Sequence, residues 1–324
     1  MYRSFRYQVL LNKKLGLIMK KIVRNVMLFF LIFVVFAIGI SVALVYRIVN
    51  IKTQKKLRTQ ESCIHRQQYC DELIREHHAQ KVTFESEDRI RLSGLLIKRA
   101  QAKRVWLICH GYYQSKESMR SLVDIFPEDT LLLLDFRTHG ESQGDRISFG
   151  IYESNDILAA VKFLKNHEDT RTLPVIGFGV SMGASALIKA AYEGAPFAAL
   201  VLDSAFASLD EQMYRSFALK SKLPGFMYPV ARFIFEKFIR GKMAELEPIA
   251  MIEHLNIPIF IIQSCMDTMV SPHDAHRLYN HIQGYKKIWI SPANKHCKSF
   301  WDFPQEYKQQ IENFLSDTEK LRGY

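Results

Sequence analysis

A serine between two glycines is the first feature of the chain that suggests covalent chemistry. The segment Gly179-Val180-Ser181-Met182-Gly183 follows the apolar run Pro174–Gly177 and precedes small residues that favour a helix. A G-x-S-x-G pattern between a strand and a helix is typical of a sharp turn that exposes a serine hydroxyl, and the glycines relieve its crowding. The pattern predicts Ser181 as a nucleophile. A phosphate-binding loop is the alternative, but the lysine of such loops is missing.

A serine hydroxyl needs a base and an orienting carboxylate, and both residue types follow at later strand exits. Asp267 comes after the apolar run Ile259–Gln263, and His296 comes after Ile288–Ile290. The order serine, aspartate, histidine is the one used by hydrolases on parallel sheets. We therefore predict that Ser181 attacks, His296 accepts its proton and Asp267 orients the imidazole. Because a protonated imidazole cannot act as a base, we expect the rate to fall in acid.

Acyl transfer by a serine also needs backbone N–H groups that bind the developing oxyanion. The first predicted donor is Met182, directly after the nucleophile. The second is Tyr112, in the loop His110-Gly111-Tyr112-Tyr113 that follows the apolar run Val105–Cys109. His110 precedes the nucleophile in the chain, which favours a loop-shaping role over that of the base. This chemistry implies no metal and no organic cofactor.

The elements that must position these residues alternate between strands and helices. Val82–Glu85 and Ile90–Ile97 alternate like two half-buried strands joined by a charged turn. Short continuous apolar runs follow, as expected of parallel strands buried on both faces; they are Val105–Cys109, Leu131–Leu134, Pro174–Gly177, Ala199–Leu202, Ile259–Gln263 and Ile288–Ile290. Helices are predicted at Lys116–Ile125, Glu153–Asn166, Met182–Glu193, Pro272–Ile282 and Pro304–Leu315. The fold class is α/β, with a mostly parallel eight-stranded sheet flanked by helices.

The net charge of the chain is concentrated at its N-terminus. Residues 1–60 hold 12 of the 44 basic side chains and none of the 33 acidic ones, so the remainder has 32 basic against 33 acidic side chains. This near-neutral remainder argues against nucleic acid as a partner. Within the basic region, the uncharged run Asn25–Tyr46 is long enough to cross a membrane as a helix.

The membrane interpretation sets the predicted domain organisation. We expect a basic tail over 1–24, a single-pass anchor over 25–49, a polar connecting helix over 50–78 and a catalytic domain over 79–320 with a cap at 205–250. Seven basic residues precede the span and five follow it, which favours an extracytoplasmic, periplasmic catalytic domain. A cleaved signal peptide with the site Ser41-Val42-Ala43 is the alternative. Met19 could also be the true start of the chain.

Five cysteines, an odd number without metal-type spacing, are predicted to be buried free thiols. They are Cys63, Cys70, Cys109, Cys265 and Cys297. If Cys63 and Cys70 share a helix, their separation of about 10 Å along its axis is too long for a disulfide. Cys265 and Cys297 stand beside predicted catalytic residues, so a redox-sensitive activity is a hypothesis.

Beyond the serine motif, residues 81–320 resemble the α/β-hydrolase superfamily, in particular a bacterial branch of serine esterase- and aminopeptidase-like members. The segment Asp135-Phe136-Arg137-Thr138-His139-Gly140-Glu141-Ser142-Gln143-Gly144 is similar to the D-x-R-x-H-G-x-S-x-G stretch of that group. The resemblance implies structural roles for Asp135, Arg137 and Asp156. The chain departs from the group where Gln263–Met266 replaces a His-Gly before the triad aspartate and where Lys295 replaces a glycine before His296.

The insertion between Leu202 and Ile259 is apolar and aromatic, and it predicts a helical cap over the strand exits. Its aromatic stripe either packs onto the sheet or forms an acyl-binding wall. With a membrane anchor, the second interpretation favours a small-molecule or lipid-like ester as substrate. The family resemblance also permits a serine peptidase of aminopeptidase type. A non-catalytic anchored scaffold is the third hypothesis, although a scaffold has no need of a complete triad.

Overall fold

One eight-stranded sheet forms the centre of the computed structural model, which describes residues 2–49, 60–221 and 223–321. The strand order is β1-β2-β4-β3-β5-β6-β7-β8; β1 and β2 pair antiparallel to each other, β2 is antiparallel to β4, and the other neighbours are parallel. The strands are β1 (Gln80–Glu85), β2 (Arg91–Ile97), β3 (Val105–Cys109), β4 (Thr130–Asp135), β5 (Val175–Val180), β6 (Phe197–Asp203), β7 (Ile259–Ser264) and β8 (Lys286–Ser291). The predicted fold class is confirmed.

Helices cover both faces of the sheet. The helices of the described residues are α1 (Tyr2–Val49), α2 (Gln60–His77), α3 (Glu153–Asn166), α4 (Met182–Tyr192), α5 (Leu209–Ser221), α6 (Tyr228–Ile239), α7 (Pro248–Ile252), α8 (Pro272–His281), α9 (Ser299–Asp302) and α10 (Pro304–Leu321), with 3₁₀ turns at Lys116–Leu122, Gly225–Met227 and Met243–Glu245. One core contains residues of α3, α4 and α8, and the other contains residues of α2, the Lys116–Leu122 turn and α10. In β3, Leu107 enters the first core while Trp106 and Ile108 enter the second, as the two-residue period of a strand requires.

One predicted helix differs from the structure. The segment expected to be helical over Lys116–Ile125 is a 3₁₀ turn, since Ser118 N–H donates to the carbonyl of Ser115 at 2.9 Å and closes a tight three-residue turn. The described part of the connecting helix is α2 (Gln60–His77), and residues 50–59 of that prediction lie outside the described residues. This helix is not simply solvated, because Cys70 and Leu73 are buried in the second core.

The cap contains α5, α6 and α7, joined by short 3₁₀ turns. Its residues divide between an inner and an outer surface. Phe235 and Ile239 of α6 are buried in the core that also holds Phe149 and Leu246. Phe226 and Phe233 are exposed. The apolar residues of the cap therefore form two surfaces. The inner surface, with Phe235 and Ile239, packs in the core, and the outer surface, with Phe226 and Phe233, is exposed.

The basic tail and the predicted span form one continuous helix, α1. By length and composition alone, its segment Lys13–Ala43 could cross a membrane, and a signal sequence would have the same properties. The C-terminal part of α1 packs against α6 of the cap. There Ser41 and Val45 are buried, and the ring of Tyr46 meets the ring of Phe238 edge-on at 6.0 Å.

The cysteine prediction is correct for some residues and wrong for others. Cys70 and Cys109 are buried free thiols, whereas Cys297 is half-buried and Cys265 is exposed. Cys265 lies outside the core because it belongs to the loop after β7, where its thiol donates to the carbonyl of Ala293 at 3.6 Å. The side chain of Cys63 lies outside the described residues.

Candidate active site

The turn between β5 and α4 holds Ser181 in an unusual backbone conformation, with φ of 52° and ψ of −114°. A residue with a side chain rarely adopts a positive φ without support from its surroundings. Here the Ser181 N–H donates to the carbonyl of Asp203 at 2.7 Å, and the Ser181 carbonyl accepts from Ala184 N–H at 3.0 Å. Backbone bonds on both sides therefore hold the serine at the end of the strand.

Two glycines allow the close packing of this turn. A Cβ at Gly183 would lie 2.5 Å from the carbonyl oxygen of Cys109 and 2.6 Å from that of His110. A Cβ at Gly179 would lie 2.7 Å from backbone atoms of Ala184. The glycines of the G-x-S-x-G pattern thus let the helix start and the loop after β3 approach each other.

Ser181, His296 and Asp267 form one hydrogen-bonded chain. The Nε2 atom of His296 lies 3.0 Å from Ser181 Oγ, and its Nδ1 atom lies 2.6 Å from Asp267 Oδ2. A carboxylate can only accept, so it selects the tautomer with the proton on Nδ1 and leaves the Nε2 lone pair facing the serine. This arrangement can remove the proton of the serine hydroxyl.

Asp267 is held from several directions in a buried position. Its Oδ1 accepts from the backbone N–H groups of Met269 and Val270 at 2.8 and 3.0 Å. Its Oδ2 also accepts from Gln263 Nε2 at 3.0 Å. The bonds from Met269 and Val270 form a turn between β7 and α8 that fixes the carboxylate. Sequence reasoning missed Gln263, whose position four residues before Asp267 was noted only as a departure from the family pattern.

The loop after β3 lies next to the nucleophile. A Cβ at Gly111 would be 3.6 Å from Ser181 Cβ, which places the neighbouring Tyr112 at the serine. Met182 is the first residue of α4, a position whose N–H has no carbonyl partner within the helix. His110 is fully buried; its Nδ1 lies 2.7 Å from the Gly111 carbonyl, and its Nε2 accepts from Phe136 N–H at 3.2 Å. His110 therefore shapes the loop, and the oxyanion role of Met182 and Tyr112 stays a prediction.

A second carboxylate, Asp203, lies behind the nucleophile at the end of β6. Its oxygens accept from the Ser204 hydroxyl at 2.8 Å and the Tyr307 hydroxyl at 2.9 Å. Burial raises the pKa of Asp203 to about 6, against the lowering effect of these bonds. Sequence reasoning did not single out this residue, although its position after an apolar strand resembles that of Asp135.

The residues for which the resemblance implies structural roles are paired within the fold. Arg137 donates to Asp156 through Nε and Nη2 at 2.9 and 2.7 Å, and through Nη1 to Asp88 at 2.7 Å. Asp135 receives the ammonium of Lys116 at 2.6 Å. Neither pair is part of the Ser181–His296–Asp267 chain of hydrogen bonds.

One group of carboxylates in the described part of the chain has the spacing of metal ligands. It consists of Glu117, Asp135 and Glu141. The ammonium of Lys116 lies among them, at 3.2 Å from Glu117, 2.6 Å from Asp135 and 2.8 Å from Glu141. A buried cation of the protein itself thus fills the position that a metal ion would take.

The two cysteines beside the triad differ in their surroundings. Burial raises the pKa of the Cys297 thiol well above its ordinary value, and the carboxylate of Asp203 adds to this effect. A protonated thiol is a weak nucleophile, so Cys297 is poorly suited to oxidation or alkylation. The redox hypothesis therefore rests on Cys265, whose exposure gives reagents access.

Three comparisons with known proteins find relatives of this chain. A family model described as serine aminopeptidase, S33, matches residues 100–249. The uncharacterized protein YqkD of Bacillus subtilis is 31% identical over 221 residues, which covers 65% of this chain and 70% of YqkD. The esterase Pf2001 of Pyrococcus furiosus superposes with a TM-score of 0.62 at 26% identity, over 74% of this chain and 92% of the esterase.

The chain belongs to the α/β-hydrolase superfamily. The structure of DcsB in complex with its substrate analogue shares the fold at 15% identity and a TM-score of 0.61, over 74% of this chain and 99% of DcsB. The esterase RhEst1 of Rhodococcus sp. also shares the fold, at 15% identity and a TM-score of 0.53, over 73% of this chain and 98% of RhEst1. The family match of this α/β-hydrolase ends before Asp267 and His296. Their place beside Ser181 is therefore a finding of the geometry alone.

Proposed function

We propose that this α/β-hydrolase is a membrane-anchored serine hydrolase that cleaves a carboxylic ester through an acyl-enzyme. The observation that carries the proposal is the continuous hydrogen-bonded chain from Ser181 Oγ through His296 to Asp267. A serine next to an imidazole in the correct tautomer is the arrangement that activates a hydroxyl for attack on a carbonyl.

The proposed reaction has two halves. Ser181 Oγ bonds to the ester carbonyl carbon while His296 Nε2 takes the hydroxyl proton, and the Met182 and Tyr112 N–H groups bind the oxyanion. The ester C–O bond then breaks, the imidazolium gives its proton to the leaving alcohol, and an acyl-serine remains. In the second half, His296 takes a proton from water as the water attacks the acyl carbon, and returns it to Ser181 as the carboxylic acid leaves. Asp267 stabilises the imidazolium in both halves.

A row of contacting aromatic rings leads from the loop after β3 to the cap, and it supports an apolar acyl group in the substrate. The ring of Tyr112 lies 4.6 Å from the ring of Phe149, and Phe149 lies 5.8 Å from Phe235 of α6. Phe235 is buried beneath the cap with Ile239. In this proposal the acyl-binding wall is this inner surface, because Phe149 connects it to Tyr112, whereas Phe226 and Phe233 face outwards.

A peptidase of aminopeptidase type is the second candidate, because the matching family model is described as a serine aminopeptidase. Such an enzyme binds the ammonium group of its substrate, and a carboxylate would be the natural partner. The described carboxylates of the cap already have partners in the protein: Asp210 bonds Arg232, Glu211 bonds Arg277, Glu236 bonds Lys242, Glu245 accepts from the Lys242 N–H and Glu247 accepts from Ser208. This pairing favours the ester.

The proposed anchor is the uncharged run Asn25–Tyr46 of α1, with the catalytic domain on the extracytoplasmic side. The basic flank before the run supports this orientation. The packing of α1 on the cap supports retention of the helix, because cleavage after Ala43 would remove the buried Ser41. Resistance of the full chain to extraction by alkaline carbonate tests the anchor, and a cleaved signal would leave the protein soluble.

Hydrolysis of p-nitrophenyl esters by the purified full chain tests the reaction and the acyl preference together. We expect turnover that increases from acetate to octanoate and that is lost in Ser181→Ala. An amino-acid p-nitroanilide cleaved faster than every ester would favour the peptidase. A correctly folded wild-type protein without turnover on either class would favour the non-catalytic scaffold.

A further inference from the structure

The outer surface of the cap has an exposed apolar stripe that the proposed reaction does not use. Phe226 is 73% exposed, Phe233 is 58% exposed and Val230 is 36% exposed. Phe226 lies in the 3₁₀ turn directly before α6, and the two others follow at spacings of four and three residues. These spacings place the side chains along one side of the helix. We call this set, Phe226, Val230 and Phe233, the outer stripe.

Basic side chains follow the outer stripe at the C-terminal end of α6. The Lys237 ammonium lies 5.3 Å from the centre of the Phe233 ring. Lys237 and Arg240 are themselves exposed. An apolar stripe bordered by cations is the pattern of a helix that lies in a membrane interface, with its rings among the acyl chains and its cations at the phosphates.

The contact between α1 and α6 sets the depth of the stripe relative to a bilayer. As a helix, the uncharged run Asn25–Tyr46 is about 33 Å long, close to the thickness of a hydrocarbon core of about 30 Å. The buried residues Ser41 and Val45 and the ring of Tyr46 meet the cap at the end of this run. Ser41 is about 8 Å before Tyr46 along the axis. If α1 spans the membrane, α6 therefore lies within the outermost 8 Å or so of the hydrocarbon core.

We propose that the outer stripe docks into the outer leaflet of the same bilayer that α1 crosses. The proposal rests on the membrane span of the proposed function, and it adds a second membrane contact, made by the cap. With the stripe in the interfacial layer, the inner surface of α6 at Phe235 faces the site while its outer surface faces lipid. The substrate class that fits this arrangement is an ester dissolved in the bilayer.

Quenching of single introduced tryptophans by brominated lipid tests the docking. Full-length Phe226→Trp and Phe233→Trp variants are reconstituted in vesicles of phosphatidylglycerol and phosphatidylcholine, with and without bromine at the 6 and 7 positions of one acyl chain. Tyr192→Trp is the matched control: Tyr192 is 50% exposed, and it ends α4, about 15 Å along that helix from the nucleophile turn. The wild type has three tryptophans of its own, so the tryptophan emission of the wild type is subtracted from that of each variant.

We expect brominated lipid to quench at least half of the added emission at positions 226 and 233, and less than a tenth at position 192. Equal quenching at all three positions, or no quenching at 226 and 233, would overturn the docking. No quenching at 226 and 233 is also the result expected if a second copy of the chain covers the outer stripe. Flotation of the wild type with the vesicles separates the two proposals. Flotation without quenching contradicts the docking alone, whereas protein that stays in the dense fraction contradicts the anchor. Turnover of a soluble short-chain ester reports independently on the hydrolase.

Discussion

Two parts of the molecule are built in different ways. One is the part of the site at the strand ends, with Ser181, Asp267 and His296, which we call the strand-end half of the site; the other is the cap. At the strand ends, backbone hydrogen bonds hold Ser181 and Asp267, and glycines allow the close approach of neighbouring loops. The cap is held by side-chain contacts, both the packing of Phe235 in the core and ion pairs to α8 such as Glu211–Arg277, while Phe233 of the same helix as Phe235 faces outwards. For the proposed hydrolase, this difference predicts that the reaction depends on a few fixed positions, while the choice of substrate depends on which way each cap residue faces.

Removal of the His296 side chain is the change with the largest expected effect, because this imidazole connects Ser181 to Asp267. We expect His296→Ala to lower kcat/KM for p-nitrophenyl butyrate by roughly 10⁴- to 10⁶-fold, since it removes the proposed acceptor of the serine proton. His276→Ala, on the exposed side of α8, is the control and should keep wild-type activity. A loss below tenfold in His296→Ala would mean that another base serves Ser181.

The two surfaces of α6 provide a test that uses one residue type. Phe235 is 4% exposed and Phe233 is 58% exposed. Phe235→Ala should lower the free energy of unfolding by about 3 kcal/mol because it opens a cavity beneath the cap. Phe233→Ala should change it by less than about 0.5 kcal/mol in detergent. Denaturant titration of both variants measures the difference, and equal losses would show that the two rings are in similar surroundings.

The buried Asp203 predicts a pH-dependent contribution to stability. The unfolded carboxyl ionises near the ordinary value of 3.8, whereas the folded one keeps its proton up to a pKa of about 6. Between these values the folded state binds more protons, so stability falls as pH rises from about 4 to about 6 and is then level. The contribution is about 3 kcal/mol.

Unfolding free energies of wild type and Asp203→Asn at pH 4 and pH 7 measure this contribution. The asparagine has no carboxyl to titrate. Because pH 4 is already slightly above the pKa of the unfolded carboxyl, the wild type should lose about 2 kcal/mol of the full contribution of about 3 kcal/mol relative to the variant between the two pH values. A constant difference between the two proteins would show that Asp203 ionises at its ordinary pH in the fold.

Gln263 is expected to give the smallest effect, because it acts on the reaction only through Asp267. Its amide donates to Asp267 Oδ2 at 3.0 Å. Gln263→Ala should lower kcat roughly tenfold and leave KM within twofold, since the carboxylate keeps its two backbone donors but loses some of its orientation. Steady-state kinetics with one ester separates the two constants. A rise in KM at unchanged kcat would place Gln263 in substrate binding instead.

The strand-end half could be predicted from sequence because its signals are local. An apolar run followed by a glycine, serine or aspartate marks a strand exit, and parallel strands bring such exits together at one edge of the sheet. Ser181, Asp267 and His296 were found in this way, and the structure places them within hydrogen-bond distance of one another.

The missed features depend on contacts between distant segments. The bond between Asp203 and Tyr307 joins β6 to α10, and nothing next to either residue marks it. The burial of Lys116 depends on two carboxylates, Asp135 at the end of β4 and Glu141 in the loop after it. In the cap, helix α6 contains four aromatic residues, and the sequence around them does not show which of them face outwards. Only their packing against α1 and the core shows this. The four residues are Tyr228, Phe233, Phe235 and Phe238.

Labelling of the full chain with a fluorophosphonate probe, read by mass spectrometry of the intact protein and its peptides, tests the central claim most directly. We predict one adduct per chain, on the peptide that contains Ser181, with no adduct in Ser181→Ala and very slow labelling in His296→Ala. Circular dichroism confirms that each variant is folded. A folded wild type that stays unlabelled, or an adduct that persists in Ser181→Ala, would contradict a nucleophile at position 181.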